Sequence, residues 1–238
     1  MSLAVPETSV DRPALRALAA HAQAQLDGAP AQAILRWAIE RFSPRFAIAS
    51  SMESGVLSHM AAEIRPGVPV LFLDTGYHFP ETIGTRDAIA ATYDVTLLTI
   101  GPVRTVAQQD AEFGPRLYER DPDLCCAMRK VAPLDDALDS YDAWASGIRR
   151  DELETRREID VVAWDDRREM VKVNPLAGWT QDDVEAYIAK HDILVNPLMS
   201  EGYPSIGCGP CTRRVAPGED PRSGRWAGTG KVECGLHV

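Results

Sequence analysis

The sequence lacks the hallmarks of several protein classes, and basic residues are scarce relative to acidic ones. No apolar run approaches the roughly 20 residues that a helix needs to cross a bilayer, so we expect no membrane segment. The start of the chain lacks a basic stretch followed by a continuous apolar segment, which argues against a secretory signal. With 25 Lys and Arg against 35 Asp and Glu, the net charge is −10. Broad nucleic-acid binding is therefore disfavoured, because it requires basic surface.

Cysteine is scarce too, and its spacing is the most informative feature of the chain. Five cysteines without a secretory signal predict a reducing, cytoplasmic location, and metal or catalytic roles in place of structural disulfides. Four of them form two pairs, Cys125-Cys126 and Cys208-Gly209-Pro210-Cys211. One metal site can use four thiolates, which leaves Cys234 as a separate reactive sulfur.

The apolar pattern predicts one α/β domain with a parallel twisted sheet and flanking helices, because strands alternate with helices of about ten residues. Strands are predicted at 46–49, 68–73, 95–100, 143–146 and 170–173, and helices near 11–26, 34–42, 56–64, 80–93, 103–112, 124–139 and 180–191. From residue 196 onward, Gly and Pro are frequent and no periodicity is clear. We expect a helical, loosely ordered segment at 1–30, a ligand-binding and cluster-binding domain at 31–215, and a mobile tail at 216–238 that carries Cys234.

The turn from Ser50 to Gly55 follows the first predicted strand, where doubly wound sheets bind phosphate at a helix N-terminus. It lacks the Gly-Lys-Ser/Thr ending of a Walker A loop, and taken alone it is equally compatible with a plain connecting turn. Clusters of arginine could bind a small anion despite the acidic net charge. For Arg167-Arg168 we expect a solvated surface position instead.

The vicinal Cys125-Cys126 pair favours an iron–sulfur cluster over zinc. Adjacent side chains on a helix diverge by about 100°, so their sulfurs converge more easily on a bulky cluster than on one small ion. Structural zinc and simple packing of the pair remain alternatives. Basic residues follow both pairs and would offset the negative charge of a thiolate-bound cluster. Cys234 requires positive surroundings to react as a thiolate, and Arg222, Arg225, Lys231 and His237 are near it in sequence.

From Phe46 onward the chain resembles the assimilatory sulfonucleotide reductases, specifically the iron–sulfur type that acts on adenosine 5′-phosphosulfate (APS). The segments that carry the resemblance are Leu73-Asp74-Thr75-Gly76-Tyr77-His78-Phe79-Pro80-Glu81-Thr82, Cys125-Cys126-Ala127-Met128-Arg129-Lys130, Gly147-Ile148-Arg149-Arg150-Asp151, Ile206-Gly207-Cys208-Gly209-Pro210-Cys211 and Glu233-Cys234-Gly235-Leu236-His237. The resemblance implies an adenine-nucleotide α-hydrolase-like fold, which is related to the PP-loop proteins.

The resemblance also implies the chemistry. Cys234 would attack the sulfate sulfur of APS and expel AMP, and thioredoxin or a similar dithiol protein would then release sulfite. Cys125, Cys126, Cys208 and Cys211 would hold a 4Fe–4S cluster, which in this family is not the electron donor. The implied substrate-binding residues are Ser50 and Ser51 in the phosphate loop, Leu73 and Gly147 at the adenosine, Lys130 between cluster and substrate, Arg156, Arg222 and Arg225 at the phosphate and sulfate, and Arg150 and His237.

The sequence departs from the family pattern at a few positions. Ser51 stands where close relatives often have glycine, Glu53 adds an acidic group to the loop, and Glu152-Leu153 replaces the more frequent Gln-Ser. None of these changes touches a cysteine.

Three other functions are weighed against APS reduction. Reduction of 3′-phosphoadenosine 5′-phosphosulfate (PAPS) is disfavoured by the four cluster cysteines, which the usual PAPS enzymes lack, while use of both APS and PAPS remains an alternative. A tRNA-thiolating PP-loop enzyme would need a basic face and a Gly-Gly loop, which the sequence lacks. A zinc-stabilised interaction module would be colourless and indifferent to Cys234→Ser. The sequence is compatible with a homo-oligomer.

Overall fold

The computed structural model describes residues 11–237 and contains a six-stranded sheet with helices packed on it. The strands are β1 (Phe46–Ala49), β2 (Val68–Leu73), β3 (Val95–Ile100), β4 (Ala143–Ser146), β5 (Val162–Asp165) and β6 (Met170–Val173). They lie in the order β3-β2-β1-β4-β6-β5. Every pairing is parallel except that of β5 with β6. The predicted α/β class is confirmed, with one antiparallel edge strand added.

Helices connect and cover the strands in this part of the chain. They are α1 (Arg12–Leu26), α2 (Ala31–Phe42), α3 (Val56–Ile64), α4 (Pro80–Thr92), α5 (Val106–Phe113), α6 (Leu117–Arg120), α7 (Pro122–Cys126), α8 (Ala132–Leu138) and α9 (Gln181–His191). Helices α5 and α9 begin at capping boxes on Thr105 and Thr180, where side chains satisfy backbone N–H groups that the helix leaves free. In residues 11–237, no helix has the length and apolar character to cross a membrane.

The predicted helix at 124–139 is interrupted, and this is a correction. Between α7 and α8 the backbone forms a π-turn over Ala127–Val131. A π-turn inserts one residue into the helical repeat, and apolar periodicity does not reveal it because both flanking segments still read as helix. The interruption lies directly after Cys126, so it changes the direction in which the following side chains point.

Apolar side chains fill both faces of the sheet. One cluster joins α1, α2 and α3 to the sheet and includes Leu35, Phe46 and Ile48. A smaller cluster on the opposite face joins Leu134 and Leu138 of α8 to the sheet. Helix α1 buries Ala19 and Ala22 in the larger cluster, while residues 1–10 of the predicted loose segment lie outside the described residues. The division of the chain at residues 30 and 215 stays a prediction.

Candidate functional site

A cavity of about 220 Å³ opens at the carboxyl ends of β1, β2 and β4. The chain runs from β1 outward through β2 and β3 and then returns to β4 on the other side of β1. This reversal leaves a crevice above the sheet, which is where ligands bind in open α/β folds. The predicted residues Ser50, Ser51, Leu73 and Gly147 all line the cavity, because each lies at or just after a strand end.

The turn after β1 is held in a specific conformation. Ser50 donates its backbone N–H to Leu71, and its hydroxyl accepts a hydrogen bond from the N–H of Met52 at 3.3 Å. Met52 adopts a left-handed conformation with φ of 61° and is fully buried. Asn196 donates its side-chain amide to the carbonyl of Met52 at 3.3 Å. The turn is therefore fixed from both sides, which preorganises the N-terminus of α3 behind it.

Glu53 links this turn to the second cysteine pair. Its carboxylate accepts the N–H of Ile206 at 2.7 Å, which orients the segment leading to Cys208. Burial raises the pKa of Glu53 above its ordinary value, while the charge of Arg225 and the hydrogen bond from Ile206 act in the opposite direction. Glu53, which departs from the family pattern, thus links the turn after β1 to the segment before Cys208.

Two arginines from the C-terminal region point into the cavity. Arg222 and Arg225 both donate to the hydroxyl of Ser205, at 3.3 and 3.2 Å, and Arg225 also lies over the ring of Trp226. The Nε atoms of both arginines are buried without a hydrogen-bond partner in residues 11–237. Burial, followed by the charges of Arg225 and Arg156, lowers the pKa of Arg222. Buried donors without a partner, next to several positive charges, have the chemistry that an oxyanion ligand requires.

The four paired cysteines line a second cavity beside the first. Cys125 and Cys126 end α7, while Cys208 precedes and Cys211 ends a single 3₁₀ turn over Gly209–Cys211. The hydroxyl of Thr75 lies 3.2 Å from the sulfur of Cys208. Burial and the neighbouring cysteines raise the pKa of Cys125 to about 12, and mainly burial raises that of Cys211 to about 11.

Single-ion geometry is absent from this cavity. In the part of the chain that the structure describes, no three His, Cys, Asp or Glu side chains converge closely enough to hold one metal ion. Four cysteine sulfurs around one cavity are a donor set that both structural zinc and a 4Fe–4S cluster can use.

Lys130 belongs to the walls of both cavities, and so does Trp226. Lys130 lies in the π-turn, four residues beyond Cys126. Burial lowers its pKa, but the charges of Cys208, Cys234 and Cys126 outweigh burial, so the net direction is upward. Lys130 therefore stays protonated between the cysteine cavity and the cavity above the sheet.

The C-terminal segment lies across the larger cavity and brings Cys234 into its wall. Arg156 donates two hydrogen bonds to the carboxylate of Glu233, at 2.6 and 2.8 Å, and also pairs with Glu152. Lys231 forms an ion pair with Asp123 at the start of α7. These contacts hold the nucleophile candidate beside Lys130.

His237 follows Cys234 into the same cavity. Its ring stacks on Trp144, with a centroid distance of 5.9 Å and an interplanar angle of 10°. Burial and the positive charges of Lys172, Arg156, Arg168 and Arg222 lower its pKa well below 6.5. The imidazole is therefore neutral at neutral pH, and the role of a positive group activating Cys234 falls to Lys130 and the arginines.

Two predicted positions differ from expectation. Arg150 does not line the cavity, because its guanidinium donates to the carbonyl of Ile159 and pairs with Asp27 at 3.2 Å. Its neighbour Arg149 lines the cavity instead. The expectation that Arg167 and Arg168 are both solvated was wrong for Arg168, whose side chain is only 5% exposed. The burial of Arg168 could not be predicted from the sequence, because its partners Asp135 and Leu236 lie in distant segments of the chain.

The sequence reasoning also missed residues that the cavity contains. These residues are Glu152, Glu233 and Trp144, none of which the sequence pattern predicted at the site. A signal existed for Glu233, because a carboxylate beside the nucleophile and several arginines with unassigned partners both appear in the sequence.

Residues 44–214 match the family model described as the phosphoadenosine phosphosulfate reductase domain. A protein of Streptomyces coelicolor named adenosine 5′-phosphosulfate reductase is 59% identical over 94% of both chains. Proteins with the same name from Mycolicibacterium smegmatis and Mycobacterium tuberculosis are 56% and 51% identical, over 94% and 97% of this chain and 95% and 98% of theirs.

Among solved structures, the phosphate complex of phosphoadenylyl-sulfate reductase from Candida auris superposes with a TM-score of 0.70 at 25% identity. The match covers 90% of this chain and all of that one. An FMN adenylyltransferase from Candida glabrata reaches a TM-score of 0.54 at 13% identity, over 88% of this chain and 69% of that one, and shares the fold alone.

Proposed function

The chain belongs to the phosphoadenosine phosphosulfate reductase family, and from that premise we propose that it reduces APS to sulfite and AMP with Cys234 as the nucleophile. The observation that carries the proposal is the composition of one cavity. Cys234 shares it with Lys130 and with the partly buried guanidinium groups of Arg222 and Arg225, whose buried Nε atoms have no partner among residues 11–237.

The proposed reaction has two steps. The thiolate of Cys234 forms a bond to the sulfur of the sulfate group while the bond from that sulfur to the phosphate oxygen breaks, and AMP leaves with the electron pair. A dithiol protein such as thioredoxin then attacks the sulfur of Cys234, sulfite leaves, and the mixed disulfide resolves to free Cys234 and an oxidised dithiol. The dithiol supplies both electrons.

The residues of the chain have distinct roles in the first step. Arg222 and Arg225 bind the phosphosulfate oxygens, for which planar guanidinium donors are well suited. Lys130 stabilises the thiolate of Cys234 and the charge that develops on the oxygens. Ser50, Ser51, Leu73 and Gly147 receive the nucleotide at the strand ends. Arg156 and His237 act through the tail, and Arg150 acts by bracing the loop that carries Arg149.

We also propose that Cys125, Cys126, Cys208 and Cys211 hold a 4Fe–4S cluster, because all four line one cavity and four cysteine thiolates are the donor set of such a cluster. When bound, the cluster would supply a fixed buried charge beside Lys130 and would not supply electrons for turnover. Both the free nucleophilic thiol and the dithiol partner require a reducing setting, which supports a cytoplasmic location. Iron and acid-labile sulfide analysis of anaerobically prepared protein tests the cluster, and bound zinc without iron would contradict it.

Mass spectrometry after brief incubation with APS alone tests the nucleophile. We expect the C-terminal peptide to gain one SO₃ group on Cys234, whereas Cys234→Ser gains none and still binds AMP and iron. Modification of another cysteine, or none in the native protein, would contradict the mechanism. Kinetics with APS and PAPS test the substrate, and turnover of PAPS alone would contradict the proposed specificity.

A further inference from the structure

The last residues of the tail are held by cations from the antiparallel edge of the sheet. The hairpin of β5 and β6 carries Arg168 in its turn and Lys172 in its second strand. Arg168 donates to the carbonyl of Leu236 at 3.2 Å, and Lys172 donates to the carbonyl of His237 at 3.4 Å. Nothing in the proposed chemistry uses either cation.

Arg168 is held in this position by two carboxylates and by burial of its side chain. Its guanidinium donates to Asp135 and Asp165, each at 2.8 Å, and its side chain is almost fully buried. Asp165 also accepts the indole N–H of Trp144 at 3.2 Å. Two carboxylates outside the tail therefore orient the guanidinium, and its Nη1 donates both to Asp165 and to the carbonyl of Leu236.

Lys172 has few polar contacts around its ammonium group. It is buried, and its ammonium lies 5.2 Å from the centroid of the Trp144 ring. Among the described residues, its hydrogen bond is the one to the carbonyl of His237. A buried ammonium with so little polar contact is costly, so a tail carbonyl that supplies an acceptor is stabilised there.

Apolar contacts complete the docking site. Leu236 packs against the smaller core cluster, beside Leu134, Leu138 and Met170. The neighbouring His237 ring stacks on Trp144. The side chains of Leu236 and His237 thus pack on the smaller core cluster and on Trp144. Their carbonyls accept hydrogen bonds from Arg168 and Lys172.

We infer that the β5–β6 hairpin is the docking site of the C-terminal tail, and that Arg168 and Lys172 are positioning residues that hold Cys234 at the cavity. This inference rests on the proposed function, since the docked tail is the state in which Cys234 faces the substrate. The dithiol partner must reach the modified sulfur, so the docked tail favours the first step and the released tail favours the second.

The test compares Lys172→Met, which removes the charge and keeps the length of the side chain, with Lys190→Met, the same change at an exposed position of α9. Iodoacetamide alkylation of Cys234 without nucleotide is followed by peptide mass spectrometry, and S-sulfonation is followed in a single turnover with saturating APS. In Lys172→Met we expect alkylation to accelerate and S-sulfonation to slow, each on the order of tenfold, as for the loss of one hydrogen bond from a charged donor. AMP affinity should match that of the unaltered protein in both variants. Both rates in Lys190→Met should also match those of the unaltered protein.

The two opposite rate changes distinguish docking from general damage. Unchanged alkylation and S-sulfonation in Lys172→Met would overturn the inference, and so would a parallel fall of both. If Lys172→Met does not fold, the same two rates are measured in Leu236→Ala, which removes the tail side chain that packs against the smaller core cluster. If APS is not turned over at all, the proposed function fails, while the alkylation measurement still decides whether the hairpin holds the tail.

Discussion

Lys130 is the residue that the two halves of the site share, because it lines both the cysteine cavity and the cavity that contains Cys234. Its position explains why a lysine in a helical segment, which would ordinarily be a surface residue, is enclosed here. The π-turn displaces it from the regular helical repeat, and the negative charge that the neighbouring cysteines carry as thiolates raises its pKa.

Replacing Lys130 by Met should reduce kcat/KM for APS by about a hundredfold, as for removal of one preorganised charge from a transition state. Lys130→Arg, which keeps the charge, should lose less. Steady-state kinetics checks the effect, and iron content shows whether the cluster survives. Activity of Lys130→Met equal to that of the unaltered protein would remove the lysine from the mechanism.

Docking of the tail should depend on pH through His237. The docked ring has a pKa well below 6.5, whereas the ring of a released tail titrates near its ordinary pKa. The released state therefore binds more protons, so docking is at full strength above about pH 6.5 and weakens by up to about tenfold per unit as pH falls below it.

Hydrogen exchange of the tail amides, corrected for intrinsic rates, measures this effect between about pH 7.5 and about pH 5.5. The cations that face the ring are Lys172, Arg156, Arg168 and Arg222. The arginines stay charged over this range, whereas burial lowers the pKa of Lys172 to about 8, so Lys172 gains charge as pH falls toward 7 and strengthens its contact with the tail. His237→Asn should abolish the weakening of docking below about pH 6.5. Persistence of the same dependence in that variant would assign it to another group.

The strands and helices illustrate which levels of structure the sequence predicts. Each of the five parallel strands was predicted with the bounds that the structure has, because buried parallel strands read as short apolar runs between turns. Strand β5 was missed because Val162–Asp165 is a short edge strand, and its formation depends on pairing with β6. The docking site for the tail was missed for the same reason, since it is built from that hairpin and from Trp144 on β4.

The five cysteines illustrate the opposite case. Their spacing predicted two pairs and a separate thiol, and the structure brings the pairs to one cavity and the fifth cysteine to its neighbour. Spacing could not predict the buried partners of Arg168, nor that Arg149 and not Arg150 reaches the cavity, because both depend on side-chain directions in irregular segments.

A side chain added at Gly207, just before the second cysteine pair, should shift the guanidinium of Arg225. A Cβ atom there would lie 2.5 Å from the guanidinium of Arg225 and would displace it. Gly207→Ala should therefore weaken AMP binding by about tenfold, the effect of one lost charge-assisted hydrogen bond. Calorimetric titration with AMP measures it. Gly230→Ala is the matched control, since a Cβ there meets nothing within 4 Å, and equal affinities in both variants would contradict the prediction.

The molecule as a whole depends on its larger apolar cluster for stability. Leu35 of α2 is fully buried in this cluster, whereas Val103 is 90% exposed. Leu35→Ala should lower the free energy of unfolding by about 2–5 kcal/mol, through lost burial and the cavity left behind. Val103→Ala should change it by less than about 0.5 kcal/mol. Urea unfolding measures both, and a similar shift in the two variants would show that this cluster does not dominate stability.

The packing of Leu236 against the smaller cluster should make docking of the tail depend on temperature. Every time the tail lifts to meet its reductant, apolar surface from a core cluster becomes hydrated, and hydration of such surface carries a positive heat capacity. The docking equilibrium therefore varies along a curve with temperature and does not follow a straight van't Hoff line. We therefore expect cooling to weaken docking of the tail and excluded osmolytes to strengthen it.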